Sequence, residues 1–237
     1  MEHENKKDYL LPGSILIAAL LIAGALFYNA GKTNEQNVEK KALDINSIQD
    51  LSPSNVNPIS DSDHKLGPES APIKIIAFSD PECPYCKDYH FVLKDLMKEM
   101  PGKIQLIFRN FPLSGHKQSK QEATAMECVA DLKGNDAFWS YLDRIFEATP
   151  SNDGLDLALL PKFAEEVGVD KSKFESCLAS GKFDALLDEN IQNGKNAGLR
   201  GTPYSVVIAP NGQYLPLNGY LPLEEFKKVM EEVINQK

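Results

Sequence analysis

Four cysteines in a chain of 237 residues are too few for a disulfide scaffold, though their even number allows two pairs. Basic charge is also short. Lys and Arg total 25 against 34 Asp and Glu, a formal net charge of −9 with no basic stripe, which argues against a general nucleic-acid binder. Histidine is scarce, and no metal-ligand cluster surrounds His64 in Asp63-His64-Lys65-Leu66-Gly67. That histidine is expected to be solvated, and neither a metal nor a cofactor is expected. What remains, 42% hydrophobic and 25% charged residues, describes an ordinary packed protein. The length suits one domain with a large insertion, or two closely joined lobes.

Charge is absent altogether from Tyr9 to Tyr28, a run dominated by Leu, Ile and Ala. As a helix it would span about 30 Å, the thickness of a bilayer's hydrocarbon core. A cleaved signal peptide is the competing reading. However, the run exceeds the usual ~7–15-residue signal core, its exit Tyr28-Asn29-Ala30-Gly31 begins with a bulky residue, and no lipobox cysteine follows. Residues 1–30 are therefore expected to be an uncleaved membrane anchor. Lys6 and Lys7 on one side compete with Lys32, Lys40 and Lys41 on the other in setting its orientation. From about Gly31 to Ser62 the chain is rich in Asn, Ser, Asp, Gln and Lys, with Pro53 and Pro58, and reads as a flexible tether.

The remaining chain, 63–237, alternates periods. Ile73 to Phe78 reads as a strand buried on both faces. Val92, Leu93, Leu96, Met97 and Met100 fall at helical spacing, closed by Pro101-Gly102. Lys103 to Phe108 reads as a second strand, parallel to the first. Five helical patterns follow, Gln118–Lys133, Asp136–Ala148, Leu155–Val167, Lys171–Ser180 and Phe183–Ala197, punctuated by glycines and Pro150. Strands resume at Pro203–Ala209 and Gln213–Leu217 around the turn dipeptide Asn211-Gly212. Leu223, Phe226, Val229, Met230, Val233 and Ile234 then mark a last amphipathic helix.

Between the first strand and the first helix stands Cys83-Pro84-Tyr85-Cys86. Two cysteines at that spacing and junction suit reversible disulfide chemistry. Pro84 fits the first helical position, which places Cys83 near the N-cap, where helix N–H groups favour a thiolate. Cys86, one turn on, is placed to resolve a mixed disulfide formed at an exposed Cys83.

This order, with Cys83-Pro84-Tyr85-Cys86 after one strand and Gly201-Thr202-Pro203 before a later one, resembles the thioredoxin superfamily. The helical block at about 114–199 resembles the DsbA-like branch, the thiol:disulfide oxidoreductases of the bacterial cell envelope. Phe78-Ser79-Asp80, Arg109-Asn110-Phe111-Pro112-Leu113 and Pro112-Leu113-Ser114-Gly115-His116 add to the likeness. The resemblance implies an α/β thioredoxin-like fold made of β-α-β and β-β-α halves around that block. It also implies a cis Pro203 facing the cysteines, and Pro84, Tyr85, Thr202 and Pro203 as the substrate-contacting residues.

One position departs. Members of the family commonly carry a buried acid six residues before the nucleophilic cysteine, where this chain has Ala77, which leaves the proton route open. Asp80 and Glu82 stand nearer in sequence and read as solvated turn residues, with a proton role as the lesser alternative. His116 reads as a structural hydrogen-bonding or helix-start residue, and Arg109 as an ion-pair partner.

Cys128 and Cys177 lie in apolar helical patterns and read either as buried free thiols or as a pair. An oxidising compartment and similar bridges in the DsbA-like branch favour the disulfide. The function expected is a membrane-anchored, extra-cytoplasmic thiol:disulfide oxidoreductase forming disulfides in exported proteins through Cys83 and Cys86. Its expected partners are cysteine-bearing exported substrates, the membrane and a quinone-linked reoxidase, with no nucleic acid. The alternatives are an isomerase or reductase of the envelope, glutaredoxin-like glutathione chemistry, and a copper-binding module using the two soft thiolates.

Overall fold

The computed structural model describes residue 52 and residues 55–235. In chain order the elements are β1 (His64–Leu66), β2 (Ile73–Ser79), α1 (Pro84–Glu99), β3 (Ile104–Asn110), α2 (Ser119–Lys133), α3 (Asn135–Ala148), a 3-10 turn (Leu157–Leu159), α4 (Leu160–Glu166), α5 (Lys171–Leu178), α6 (Asp184–Asn196), β4 (Tyr204–Ile208), β5 (Tyr214–Asn218) and α7 (Leu223–Asn235). The strands form one sheet in the order β1-β3-β2-β4-β5. β2 and β3 run parallel, with Ala77 beside Phe108, whereas β2 and β4 run antiparallel, with Ala77 beside Ser205. The β-α-β half, the helical block and the β-β-α half are all present, and α2 to α6 make up the block.

Successive side chains of β2 leave on opposite faces, and each face finds apolar cover. Ile75 and Ala77 join the core shared with Leu93 and Leu96 of α1 and Phe226 and Met230 of α7. Ile76 and Phe78 join Ile107, Val206, Ala197 and Leu199 on the other side. Sequence periodicity misses β1, three residues paired antiparallel with β3, because so short a strand shows no period. The pattern 155–167 divides into the 3-10 turn and α4, since Pro161 lacks an N–H and fits only the first turn of a helix.

Residues 55–62, assigned above to the tether, pack on the fold instead. Val56 is buried among Ile76, Phe78 and Val206. The Asn57 and Pro58 carbonyls accept from Arg109, each at 3.1 Å. Arg109 also grips Asp63 through two bonds of 2.8 and 3.0 Å and reaches Asn193 Oδ1 at 2.7 Å, so one guanidinium ties this strap to β3 and α6. His64 is not solvated. It stacks on Phe138 with centroids 3.6 Å apart, and its Nε2 lies 2.9 Å from Glu127 Oε2. Burial beneath α3 requires that polar partner.

Cys128 of α2 and Cys177 of α5 form a disulfide, 49 residues apart in sequence. Closing a loop of that size contributes ~2–4 kcal/mol, and it fastens α5 to the central helix of the block. Among the described residues no helix is long and apolar enough to cross a membrane. The expected anchor, 1–30, and the expected tether apart from Ser52 and 55–62 lie outside the described residues.

Candidate active site

Strand β2 ends at Ser79, and Asp80-Pro81-Glu82 turns the chain into α1, with Cys83 at the N-cap (φ −81°, ψ 121°) and Pro84 inside the first turn. Both cysteines are free thiols. Cys83 is less open than expected: 4% of it is exposed, against none of Cys86. Its sulfur lies 3.4 Å from the carbonyl oxygen of Thr202, across the cis Thr202–Pro203 peptide bond. The Thr202 hydroxyl is buried without a partner among the described residues and is free to donate to a thiolate at Cys83. Tyr85, 62% exposed, stands on the solvent side of the pair.

The two thiols are poised in opposite directions. Hydrogen bonding from the Cys86 thiol pulls the Cys83 pKa down from 9.0 to about 6; burial opposes this, and Thr202 and the N–H groups of Cys86 and Tyr85 add to it. Burial pushes Cys86 well up, and its hydrogen bond to Cys83 and the charge there push it further. The Asp80 N–H, 3.4 Å from Cys86 Sγ, works against that rise. At neutral pH the reduced site is thus a Cys83 thiolate beside a Cys86 thiol.

Asp80 and Glu82 are not solvated turn residues; both are fully buried. The Asp80 carboxylate accepts from four donors: Glu82 N–H (2.8 Å), Ser119 Oγ (2.7 Å), Leu113 N–H (2.7 Å) and His116 Nδ1 (3.0 Å). One side chain thereby fixes the turn before Cys83, the loop after β3 and the start of α2. Glu82 accepts from the N–H groups of Asp153 (2.5 Å) and Gly154 (3.3 Å), while its carbonyl accepts from Asn152 N–H (2.8 Å). These bonds hold Ser151, Asn152 and Asp153, which all have positive φ, a conformation that side chains other than glycine adopt at a cost.

Behind Glu82 lies Glu122 of α2, fully buried, its pKa pushed up to about 10, chiefly by burial and then by the neighbouring Glu82 carboxylate. It is therefore protonated at neutral pH, and neither its two oxygens nor Glu82 Oε1 has a hydrogen-bond partner among the described residues. A carboxyl with a raised folded-state pKa adds stability fully present below about pH 4.5 and lost as pH climbs toward about 10. Glu122→Gln keeps the donor and removes the titration. The variant is expected to melt ~2–4 °C higher than the native chain at pH 9, the size of a 1 kcal/mol change in a chain of this length, and to match it near pH 4.5. Thermal melts across that range check this, and equal slopes of Tm against pH would overturn the raised Glu122 pKa.

At Ala77 the neighbouring strand supplies polarity of another kind. Ser205, paired with Ala77 in register, bonds through its Oγ to the Tyr89 hydroxyl of α1 at 2.7 Å. Burial raises the Tyr89 pKa and outweighs the Ser205 hydrogen bond that lowers it, so this pair is neutral and cannot take a proton. Sequence reading missed Glu122, Ser119, Tyr89 and Ser205 as parts of the site. Glu122 did carry a signal, because it shares the inward helical stripe of Ala125, Met126 and Val129.

A β-α-β/β-β-α sheet with a two-cysteine helix start opposite a cis proline has a family counterpart. A family model described as Thioredoxin matches residues 60–231. The chain belongs to the thioredoxin family. Within it the likeness is to the DsbA-like form. The crystal structure of Pseudomonas aeruginosa DsbA2 superposes with a TM-score of 0.62 at 24% identity, covering 75% of this chain and 97% of that one. "Probable disulfide bond formation protein D" of Bacillus anthracis is 28% identical over 153 residues, 62% of this chain and 69% of that protein. "Na(+)/H(+) antiporter NhaA 3" of Salinispora tropica is 27% identical over 144 residues, 60% of this chain. That match spans only 21% of the antiporter's length.

Proposed function

We propose that this thioredoxin-family chain is a thiol:disulfide oxidoreductase that forms disulfides in exported proteins. The observation that carries the reading is the asymmetry of the pair, with Cys83 at the helix N-cap, its pKa drawn down to about 6, and Cys86 a fully buried thiol. Stabilising the thiolate stabilises the reduced state, and a stabilised reduced state makes the disulfide form an oxidant. A substrate thiolate attacks Cys83 in the oxidised site, the Cys83–Cys86 bond breaks, and Cys86 leaves. A second substrate thiolate then attacks the substrate sulfur of the mixed disulfide, releasing the substrate disulfide and the reduced pair. Peptide backbone on either side of a substrate cysteine has Thr202 to pair with, beside exposed Tyr85.

The uncharged run Tyr9–Tyr28 supports a membrane anchor and a catalytic domain outside the cytoplasm, where exported cysteines are met. Turnover then needs a reoxidant in the same membrane, for which a quinone-linked partner has the right chemistry. The name of the Bacillus anthracis relative agrees with the oxidising direction.

Equilibration of the pair with glutathione redox buffers tests this. The expected potential lies near the DsbA end of the scale, about −120 mV, and the oxidised chain is expected to convert a dithiol peptide to its disulfide. A potential near that of thioredoxin, about −270 mV, reverses the direction and makes the chain a reductase.

A further inference from the structure

Reducing a disulfide takes two electrons and, for two neutral thiols, two protons. Here the reduced site holds one proton on Cys86 and none on Cys83, so the destination of the second is a question of what surrounds the pair. On the sheet side Ala77 presents a methyl group, and Ser205 and Tyr89 are committed to each other. On the outer side, Asp80 donates its N–H to Cys86 Sγ and fastens His116 Nδ1 with its carboxylate, so a single residue links the resolving sulfur to an imidazole. With Nδ1–H committed to Asp80, Nε2 is the nitrogen that titrates. The His116 side chain is 18% exposed, enough to exchange protons with water.

We propose that His116 is the positioning residue that stores the second proton of the couple, its imidazolium serving as the counter-charge of the Cys83 thiolate. This rests on the oxidoreductase reading above. In the full step, the Cys83–Cys86 disulfide, neutral His116 and two substrate thiols yield Cys83 thiolate, Cys86 thiol, His116 imidazolium and one substrate disulfide. The two substrate S–H protons end on Cys86 and His116, and the two electrons end on the cysteine sulfurs. The charged and titratable groups facing His116 are Asp80 on the turn after β2, Cys83 at the start of α1 and Asp153 on the loop after α3. Lys117 is its neighbour on its own loop. Burial opposes the imidazolium, and the Asp80 bond and charge, helped by Cys83 and Asp153, outweigh it. Asp80 and Asp153 are present in both redox states; the Cys83 charge exists only when the site is reduced. His116 therefore binds its proton more tightly on reduction and loosens it on oxidation.

The test is a pH titration of the histidine ring signals by NMR in the full chain, oxidised and reduced, with His116→Gln assigning the resonance. The His116 midpoint is expected to be about one pH unit higher in the reduced protein, the size of an opposite charge gained nearby. Coupling between two sites is reciprocal. The Cys83 thiolate, followed by its ultraviolet absorbance, is therefore expected to titrate higher in reduced His116→Gln by the same amount. Equal His116 midpoints in the two redox states overturn the proposal, whether or not the chain oxidises dithiols. A difference in midpoint without any disulfide exchange supports the proton coupling and removes the oxidoreductase reading instead.

Discussion

Cys83→Ser is expected to abolish disulfide exchange in both directions, leaving only the uncatalysed background. The alcohol cannot form a disulfide, so no electron pair can be taken up at the site, and neither route through a mixed disulfide begins. The fold is expected to survive, because an Sγ-to-Oγ change at the N-cap keeps the residue's shape and costs about 1 kcal/mol. The same measurement carries a pH signature in the native chain. Attack by Cys83 on a peptide disulfide should rise as pH passes through about 6 and level off above it, following the thiolate fraction. The depressed thiol also sets the stability of the reduced form. Its contribution is fully present above about pH 9, the ordinary value, and is lost as pH falls through about 6. Reduced Cys83→Ser lacks that contribution, so its melting temperature should respond less to pH between those limits. Residual exchange well above background in Cys83→Ser would mean that the chemistry runs through another thiol, and Cys86 is the only other free one.

How much of this was legible beforehand differs by residue. The cysteine pair at a strand-to-helix junction could be read because local rules alone place it: an apolar strand ends, Pro84 starts a helix, and the N-cap falls on Cys83. The element order followed from period changes strong enough to survive without tertiary help. Asp80 and Glu82 were misread for the opposite reason. In sequence they flank a proline in a turn, and turns are usually wet. Their burial depends on donors that arrive from 33 to 72 residues away, at Leu113, His116, Ser119, Asp153 and Gly154. His64 was misread in the same way, since its cover, Phe138, and its partner, Glu127, belong to the helical block. The strap at 55–62 looked like linker because its composition is polar. What anchors it is Val56, with Ile59 packed against the same cluster, and backbone carbonyls, and carbonyls are invisible in composition. Ala77 was legible as a missing acid. What replaces it, Ser205 against Tyr89, required the strand register.

Cys86→Ser is expected to convert a transient species into a stable one. In the native site a peptide disulfide attacked by Cys83 gives a mixed disulfide, and Cys86 lies one helical turn away on the same face, its sulfur fixed against the Asp80 N–H. Intramolecular attack from such a position carries effective concentrations on the order of 10⁵ M or more when geometry is right, so the adduct does not accumulate. The raised Cys86 pKa does not prevent this. The charge at Cys83 that helps raise it disappears once Cys83 is in a mixed disulfide, and the Asp80 N–H still favours the thiolate. Serine preserves a partner for that N–H, whereas alanine would leave a buried donor unpaired and mix a folding defect into the result. Reduced Cys86→Ser mixed with a peptide disulfide should therefore yield a covalent Cys83–peptide adduct, stable on a non-reducing gel and of the summed mass. Adding thiol should release it. If the variant instead turns over at the native rate without an adduct, external thiols resolve the intermediate, Cys86 has no resolving role, and the buried, proton-bearing half of the site is structural only.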